Sequence, residues 1–282
     1  MNEYMIPIEI ISDENNLPFK LQSQKLNIIF AKNSEKIVYN FLSESKSIIS
    51  RYLNKNFQIG INLSNIDINM YIYLIDSISD AYDIIQNSSK TIFELFWFDN
   101  SNTIYISIFD GIMFDYPFTL DKIIYLPLKF INSCYKSKNN HNLIKIIIHE
   151  LIHISQRSQE FLWEKYIVKM YPQWIKIYPN NNIFILIENY INSSKIFVTN
   201  PDTFYNHFKY IFIESNLIYY GHFVHNTTHK INIEYFQIDI ENNNFQKITN
   251  NSKIPKGLTQ DHIYEICAYA IAEQLILNHQ LN

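Results

Sequence analysis

Cysteine is nearly absent from this chain of 282 residues, which contains only Cys134 and Cys267. Two cysteines are too few for a disulfide framework, and their spacing is wrong for a zinc cage built from thiolates. The sequence therefore excludes a disulfide-rich secreted protein and predicts a reducing compartment.

Charged residues are also few, at 18% of the chain, and the formal charge of −4 is not gathered into blocks. The sequence lacks the basic stripe that nucleic-acid binding needs, so we expect no nucleic-acid partner. No apolar run reaches the roughly 18 residues of a membrane span. The first residues, MNEYMIPIEIISDENN, lack the positively charged start of a secretory signal. We therefore expect an intracellular protein without a membrane partner.

Glycine and alanine are scarce as well, with four and five residues, whereas isoleucine, asparagine, lysine and tyrosine are abundant. This bias is typical of an A+T-rich genome. Against it, three of the five alanines stand together in the segment DHIYEICAYAIAEQLIL, at positions 268, 270 and 272. Their clustering indicates that this segment approaches another part of the backbone closely.

Hydrophobic residues are abundant, at 47% of the chain. They are enough for the core of one large compact domain. Helical periodicity predicts one helix that begins near Asn33 or Ser34 and others over residues 67–87, 141–157, 159–170 and 261–278. Strands are predicted at residues 103–109, 122–126 and 231–240, and a connector at residues 242–257. These elements predict an α+β fold.

The segment IIIHELIHISQR, residues 146–157, places two histidines and a glutamate inside an otherwise aliphatic helix. Residues four apart share a helix face, so His149 and His153 point the same way and can bind one zinc ion. Glu150 lies roughly 100° round the helix from His149, within reach of a metal-bound water. This His-Glu-x-x-His arrangement predicts two zinc ligands and a general base. Hydrogen-bonded core histidines are the simpler alternative, but they would leave a buried carboxylate without a local counter-cation.

A catalytic zinc ion needs a third protein ligand. In metzincins this ligand is a histidine six residues after the second one, but Gln159 stands there and Gln156 replaces the preceding glycine, so metzincins are excluded. The alternative is a glutamate on another helix. We prefer Glu265, because its segment is apolar nearly all round and contains the alanine cluster, and Glu188 is the reserve. The remaining glutamates considered are expected to be solvated or in surface contacts: Glu160, Glu164 and Glu273.

Together, His149, Glu150, His153 and Glu265 resemble the ligands and base of the glutamate-ligated zincin metallopeptidases, the gluzincins. The segments HELIHISQR and IYEICAYAIAEQL also resemble zinc metallopeptidases encoded by large DNA viruses of algae and protists. That likeness implies a location in the host cytoplasm or the virion. It makes residues 116–282 the catalytic region and leaves residues 1–115 as part of the same compact unit, with no function placed there.

The resemblance implies a zincin-like fold: a mixed sheet, an edge strand beside the active-site helix and a C-terminal helix that carries a ligand. It implies one Zn²⁺ ion and hydrolysis of a peptide or protein substrate, with Glu150 as the general base. The KIIYL strand, residues 122–126, would be the sheet edge that pairs with the substrate backbone. Tyr269, His222 and His225 are candidates for stabilising the transition state.

One position departs from the family pattern. Several gluzincins have an aspartate four residues after the ligand glutamate, and this chain has Tyr269 there. The partners that orient the two histidines are therefore unassigned. Two other hypotheses stay open: a zinc-stabilised structural or binding protein without turnover, such as a virion component, and a zinc hydrolase of non-peptide amides.

Overall fold

The computed structural model describes residues 28–30, 57–59, 68–96, 104–111, 116–120, 123–193, 197–198, 202, 207–225 and 231–280. The helix predicted to begin near Asn33 or Ser34 lies outside these residues. The described chain is an α+β protein that divides into two compact units. The first unit contains the described residues up to Glu160 and those from Ala268 onward, and the second contains described residues between 161 and 267. The separate assignment of residues 1–115 and 116–282 stays a prediction.

The first unit is built on a mixed sheet of five strands. Three of them are parallel neighbours, namely β1 (Ile28–Phe30), β3 (Ile104–Gly111) and β5 (Ile123–Pro127). The other two are antiparallel, with β2 (Phe57–Ile59) paired to β3 and β4 (Phe118–Leu120) paired to β5. The strands predicted at residues 103–109 and 122–126 are confirmed as β3 and β5.

The edge of this sheet differs from the prediction. Since β5 lies between β3 and β4, its backbone groups are paired on both sides, and the expectation that KIIYL forms the edge is wrong. Among the described strands, the edge position belongs to β4, which pairs with β5 alone. Because β4 has only three residues, it is too short to show a recognisable alternation of polar and apolar residues.

In the described part of the first unit, four helices precede residue 160: α1 (Ile68–Gln86), α2 (Lys90–Leu95), α3 (Leu128–Ser137) and α4 (Asn140–Ser158). The helices predicted at residues 67–87 and 141–157 are confirmed as α1 and α4. The side chain of Asn139 caps α4 by accepting the backbone N–H of Asn142 at 3.1 Å. From Ile147 to Gln156 every residue of α4 is buried, because the helix packs on α1, α3, β4 and β5. This burial explains why the segment is apolar nearly all round.

The second unit is built on an antiparallel sheet that the sequence revealed only in part. Its strands are β6 (Trp174–Ile177), β7 (Phe197–Val198), β8 (Lys209–Glu214), β9 (Leu217–His225), β10 (Ile231–Asp239) and β11 (Asn244–Lys247). The predicted strand at residues 231–240 is confirmed as β10, but β11 lies where a connector was predicted, so that prediction is wrong there. The helices α5 (Glu160–Met170), which was predicted, and α6 (Asn182–Ser193) complete the fold. Ile187 of α6 and Phe236 of β10 belong to one buried cluster.

The last element is α7 (Ile263–Gln280), close to the helix predicted at residues 261–278. Ala268 and Ala272 are buried, which agrees with the close packing inferred from the alanine cluster, but Ala270 is exposed. Tyr269 and Leu277 are also exposed, so the expectation of burial all round this helix is wrong. No helix in the described part of the chain has the length and the apolarity to cross a membrane.

Candidate metal centre

The two histidines of α4 face a common point. His149 and His153 are buried, and their Nε2 atoms lie 3.0 Å apart. Two nitrogens that bind one tetrahedral zinc ion at about 2.0–2.1 Å lie about 3.3 Å apart, close to the separation seen. Two imidazole lone pairs cannot face each other at this distance without a proton or a cation between them. The helix therefore presents a pair of nitrogen ligands.

Glu265, in the first turn of α7, completes a group of three. The ligand atoms of His149, His153 and Glu265 all lie within 4.8 Å of one another, and all three residues are buried. A buried carboxylate needs a positive partner, and buried imidazole nitrogens need a proton or a metal. A group of two imidazoles and one carboxylate satisfies both needs with a divalent cation. This buried group could hold a metal ion, as the sequence predicted.

The competing glutamates lie in other environments. Glu188 pairs with Lys209 at 2.7 Å, and Glu164 pairs with Lys176 at 3.0 Å. Glu273, which was expected in a surface contact, pairs with Lys145 of α4. Glu160 is the partly exposed first residue of α5. None of these four belongs to the metal-ligating group found among the described residues.

Glu150 is held by a residue that the sequence did not single out. The hydroxyl of Thr119, on the edge strand β4, donates to Oε2 of Glu150 at 2.6 Å, and both residues are buried. Arg157 then donates from Nη2 to the backbone carbonyl of Thr119 at 2.8 Å. Thr119 precedes Glu150 by 31 residues, so only the tertiary fold shows this contact. The hydrogen bond fixes the orientation of the carboxylate next to the ligand pair.

His153 has a second partner on its own helix. Its Nδ1 lies 2.8 Å from Oε1 of Gln156, and neither side chain is accessible to solvent. In the sequence, Gln156 stood out only as a departure from the metzincin pattern. A signal was present, because residues three apart are neighbours on a helix face.

The three proposed transition-state stabilisers lie in different places. The ring of Tyr269 lies 4.4 Å from the ring of His149, centroid to centroid, and its side chain is 44% exposed. His222 is a buried residue of β9 whose Nδ1 lies 3.3 Å from the hydroxyl of Tyr220. Burial, together with the charge of Lys209, lowers the pKa of His222 to about 3. His225 ends β9 and pairs with Ile231 through the backbone. Of the three, Tyr269 is the one for which the structure shows contact with a member of the metal-ligating group.

The other histidines were expected to be ordinary surface or loop residues. Three of them are exposed as expected, namely His141, His207 and His279. His262 is an exception, because only 7% of it is exposed. Its Nδ1 accepts the backbone N–H of Tyr264 at 3.1 Å, which satisfies a donor at the start of α7. His262 thus stabilises the end of the helix that carries Glu265. His229 lies outside the described residues.

Comparisons of the chain with protein-family models, with curated proteins and with solved structures found no match. The resemblance to gluzincins and to viral metallopeptidases therefore stays a prediction. Function is inferred from the geometry of the site.

Proposed function

We propose that the protein is a zinc-dependent metallopeptidase in which His149, His153 and Glu265 hold the ion and Glu150 is the general base. The observation that carries this proposal is the convergence of three buried ligand atoms within 4.8 Å. Glu150 adjoins one of these ligands in the chain but is not a member of the group. A set of ligands with a separate, oriented carboxylate is typical of a hydrolytic centre.

The ligand set favours zinc over the other common divalent cations. Ca²⁺ and Mg²⁺ prefer sites made of oxygen ligands, whereas two imidazoles and one carboxylate are the ligands of known catalytic zinc sites. Three protein ligands leave a fourth position for water or substrate. A structural zinc site, by contrast, normally has four protein ligands.

In the proposed hydrolysis, different residues have different roles. Bound zinc would supply a Lewis acid that activates water near neutral pH and polarises the scissile carbonyl. Glu150, oriented by Thr119, accepts the proton of the attacking water on its carboxylate and passes it to the leaving amine. Tyr269, whose ring contacts the ring of His149, would donate its hydroxyl to the developing negative charge on the carbonyl oxygen.

The choice of a peptide as the substrate follows the resemblance to gluzincins that His149, Glu150, His153 and Glu265 carry. Strand β4 does not supply an open edge for the substrate backbone, because Phe118 and Thr119 are only 1% and 0% exposed and the carbonyl of Thr119 already accepts from Arg157. Thr119 serves instead to hold the general base.

The test compares zinc content and peptidase activity in the native chain and in His149→Ala, Glu150→Gln and Glu265→Ala. We expect Glu150→Gln to retain about one zinc per chain and to lose at least about 100-fold in kcat/KM, because the base is gone while the ligands stay. His149→Ala and Glu265→Ala should bind zinc poorly, since each removes one of three ligands. Zinc is measured by elemental analysis after dialysis, and activity with a library of extended peptides.

Glu188→Ala is the matched control, because Glu188 pairs with Lys209 and lies outside the metal-ligating group. It should keep both zinc and activity. Full zinc retention by Glu265→Ala would contradict the assignment of the third ligand. A native chain that binds zinc but cleaves no peptide would favour the alternative of a zinc-stabilised structural or binding protein.

A further inference from the structure

The hydrogen bond between His153 and Gln156 constrains which imidazole nitrogen carries the proton. A neutral imidazole has one N–H and one lone pair. Oε1 of Gln156 is an acceptor, so the Nδ1 of His153, which lies 2.8 Å from it, must be the donor. The lone pair of His153 is then on Nε2, the atom that lies 3.0 Å from Nε2 of His149. The acceptor on one side of the ring thus places the lone pair of His153 on the atom that faces His149.

Gln156 is well placed to hold this arrangement. It lies three residues after His153 on α4, in the fully buried part of the helix, and is not exposed to solvent. Water cannot easily replace it as the acceptor. At zinc sites a carboxylate often accepts the second imidazole proton and makes the ligand more basic. Here the acceptor is a neutral amide. It orients the ring, but it is a weaker acceptor than a carboxylate and raises the basicity of the imidazole less.

We propose that Gln156 is the positioning residue of the metal centre: it fixes the Nδ1–H tautomer of His153 and, as an amide, keeps zinc affinity below the level that a carboxylate would give. The inference depends on the metal site of the proposed function but not on peptide hydrolysis. Two kinds of substitution at Gln156 should change zinc affinity in opposite directions. Removal of the acceptor weakens zinc binding, whereas replacement by a carboxylate strengthens it.

The test measures zinc affinity by competition with a chromogenic chelator, using the full chain and the variants Gln156→Met and Gln156→Glu. Gln156→Met has a similar length but no acceptor, so the dissociation constant should rise about 10–100-fold. Gln156→Glu keeps the acceptor as a carboxylate and should bind zinc more tightly than the native chain. Asn142→Leu, an amide replaced on the exposed first turn of α4, is the matched control and should leave the affinity unchanged.

A second measurement covers the case in which Gln156→Met is poorly folded. Proton–nitrogen correlation spectra of the zinc-free native chain and of Gln156→Glu should both show His153 with its proton on Nδ1. An Nε2–H tautomer in the native chain would overturn the proposal, as would a folded Gln156→Glu variant that binds zinc no more tightly than the native chain. Lack of peptidase activity in a chain that shows these affinities would contradict the proposed function and leave this inference intact.

Discussion

At the scale of single residues, Glu150 is a buried carboxylate that needs hydrogen-bond donors. A carboxylate that is only 2% exposed is costly to keep ionised unless donors face it. The hydroxyl of Thr119 meets this need at 2.6 Å, and Thr119 is itself fixed from the other side by the guanidinium of Arg157. The base is thus oriented through a short chain of hydrogen bonds that includes no metal ligand. Its orientation can be disturbed without loss of zinc.

Thr119→Val tests this separation between orientation and metal binding. Valine has nearly the same shape as threonine but no hydroxyl, so we expect zinc content to be unchanged and kcat to fall about 10-fold or more. A hydrogen bond to a charged group contributes about 1.5–3 kcal/mol, which sets this size. Thr119→Ser, which keeps the hydroxyl, should recover most of kcat. Steady-state kinetics with zinc analysis measure both, and native kcat in Thr119→Val would show that the hydroxyl is dispensable.

At the scale of elements, the position of α7 matters because its first turn carries Glu265. Strand β9 approaches the residues before this helix at Gly221. A Cβ at Gly221 would lie 2.9 Å from Cα of Asp261 and 3.2 Å from the carbonyl oxygen of Gln260. Both atoms belong to the backbone, so no flexible side chain can move aside. The small size of this one residue allows the segment before α7 to lie where it does.

Gly221→Ala should therefore act on the metal centre from a distance. The backbone at Asp261 must shift to admit the new methyl group, and we expect this to lower the free energy of unfolding by about 1–3 kcal/mol. Because Asp261 precedes Glu265 by only four residues, zinc affinity should fall as well. Thermal denaturation without zinc and chelator competition measure the two effects.

Glu273→Gln is the control for this variant, because Glu273 lies on α7 and pairs with Lys145 in a half-exposed position. An exposed ion pair contributes about 0–1 kcal/mol, so this substitution should change stability little and leave zinc affinity native. Equal losses of zinc affinity in the two variants would show that the contact at Gly221 has no special role.

The three longest helices were predictable and the short strand β4 was not. Helices α1 and α4 could be recognised because each repeats its apolar pattern over several turns, and α7 because its segment is a long apolar run. The ligand pair at positions 149 and 153 was predictable from the same helical periodicity, since residues i and i+4 share a face. The three residues of β4 have no such pattern, and Thr119 meets Glu150 only through the pairing of β4 with β5. Contacts that depend on sheet order were therefore missed.

At the scale of the whole molecule, each of the two units has its own sheet, and the second sheet escaped prediction apart from β10. Strands β8 and β9 are joined by the two-residue turn Ser215–Asn216, in which both residues have positive φ. A turn of this kind is usually signalled by glycine, which this chain nearly lacks. Because glycine is scarce, the sequence lacks the turn residues from which hairpins are usually recognised.

The second unit also contains an acid-sensitive group. Burial and the charge of Lys209 lower the pKa of His222 from 6.5 to about 3 in the native protein. Between these two pH values His222 binds a proton in the unfolded chain but not in the native chain. The free energy of unfolding should therefore be highest above about pH 6.5 and fall by up to about 1.4 kcal/mol per unit as the pH decreases towards 3.

Urea denaturation of the zinc-free chain at pH 7, 6 and 5 measures this dependence, with His222→Gln as the comparison. The variant should be less sensitive to pH over this range, whatever its stability at pH 7, because the substitution removes the titratable group whose pKa folding lowers. Identical pH profiles would mean that folding leaves the pKa of His222 unchanged.

The depth of the general base has one more consequence for the proposed peptidase. Glu150 is 2% exposed, and Phe118 and Thr119 of the neighbouring strand β4 are 1% and 0% exposed. A substrate could therefore reach Glu150 only after part of the surrounding chain moved aside. Turnover would then follow the frequency of this opening, and the rate would be set by motion of the enzyme more than by the bond that it cuts.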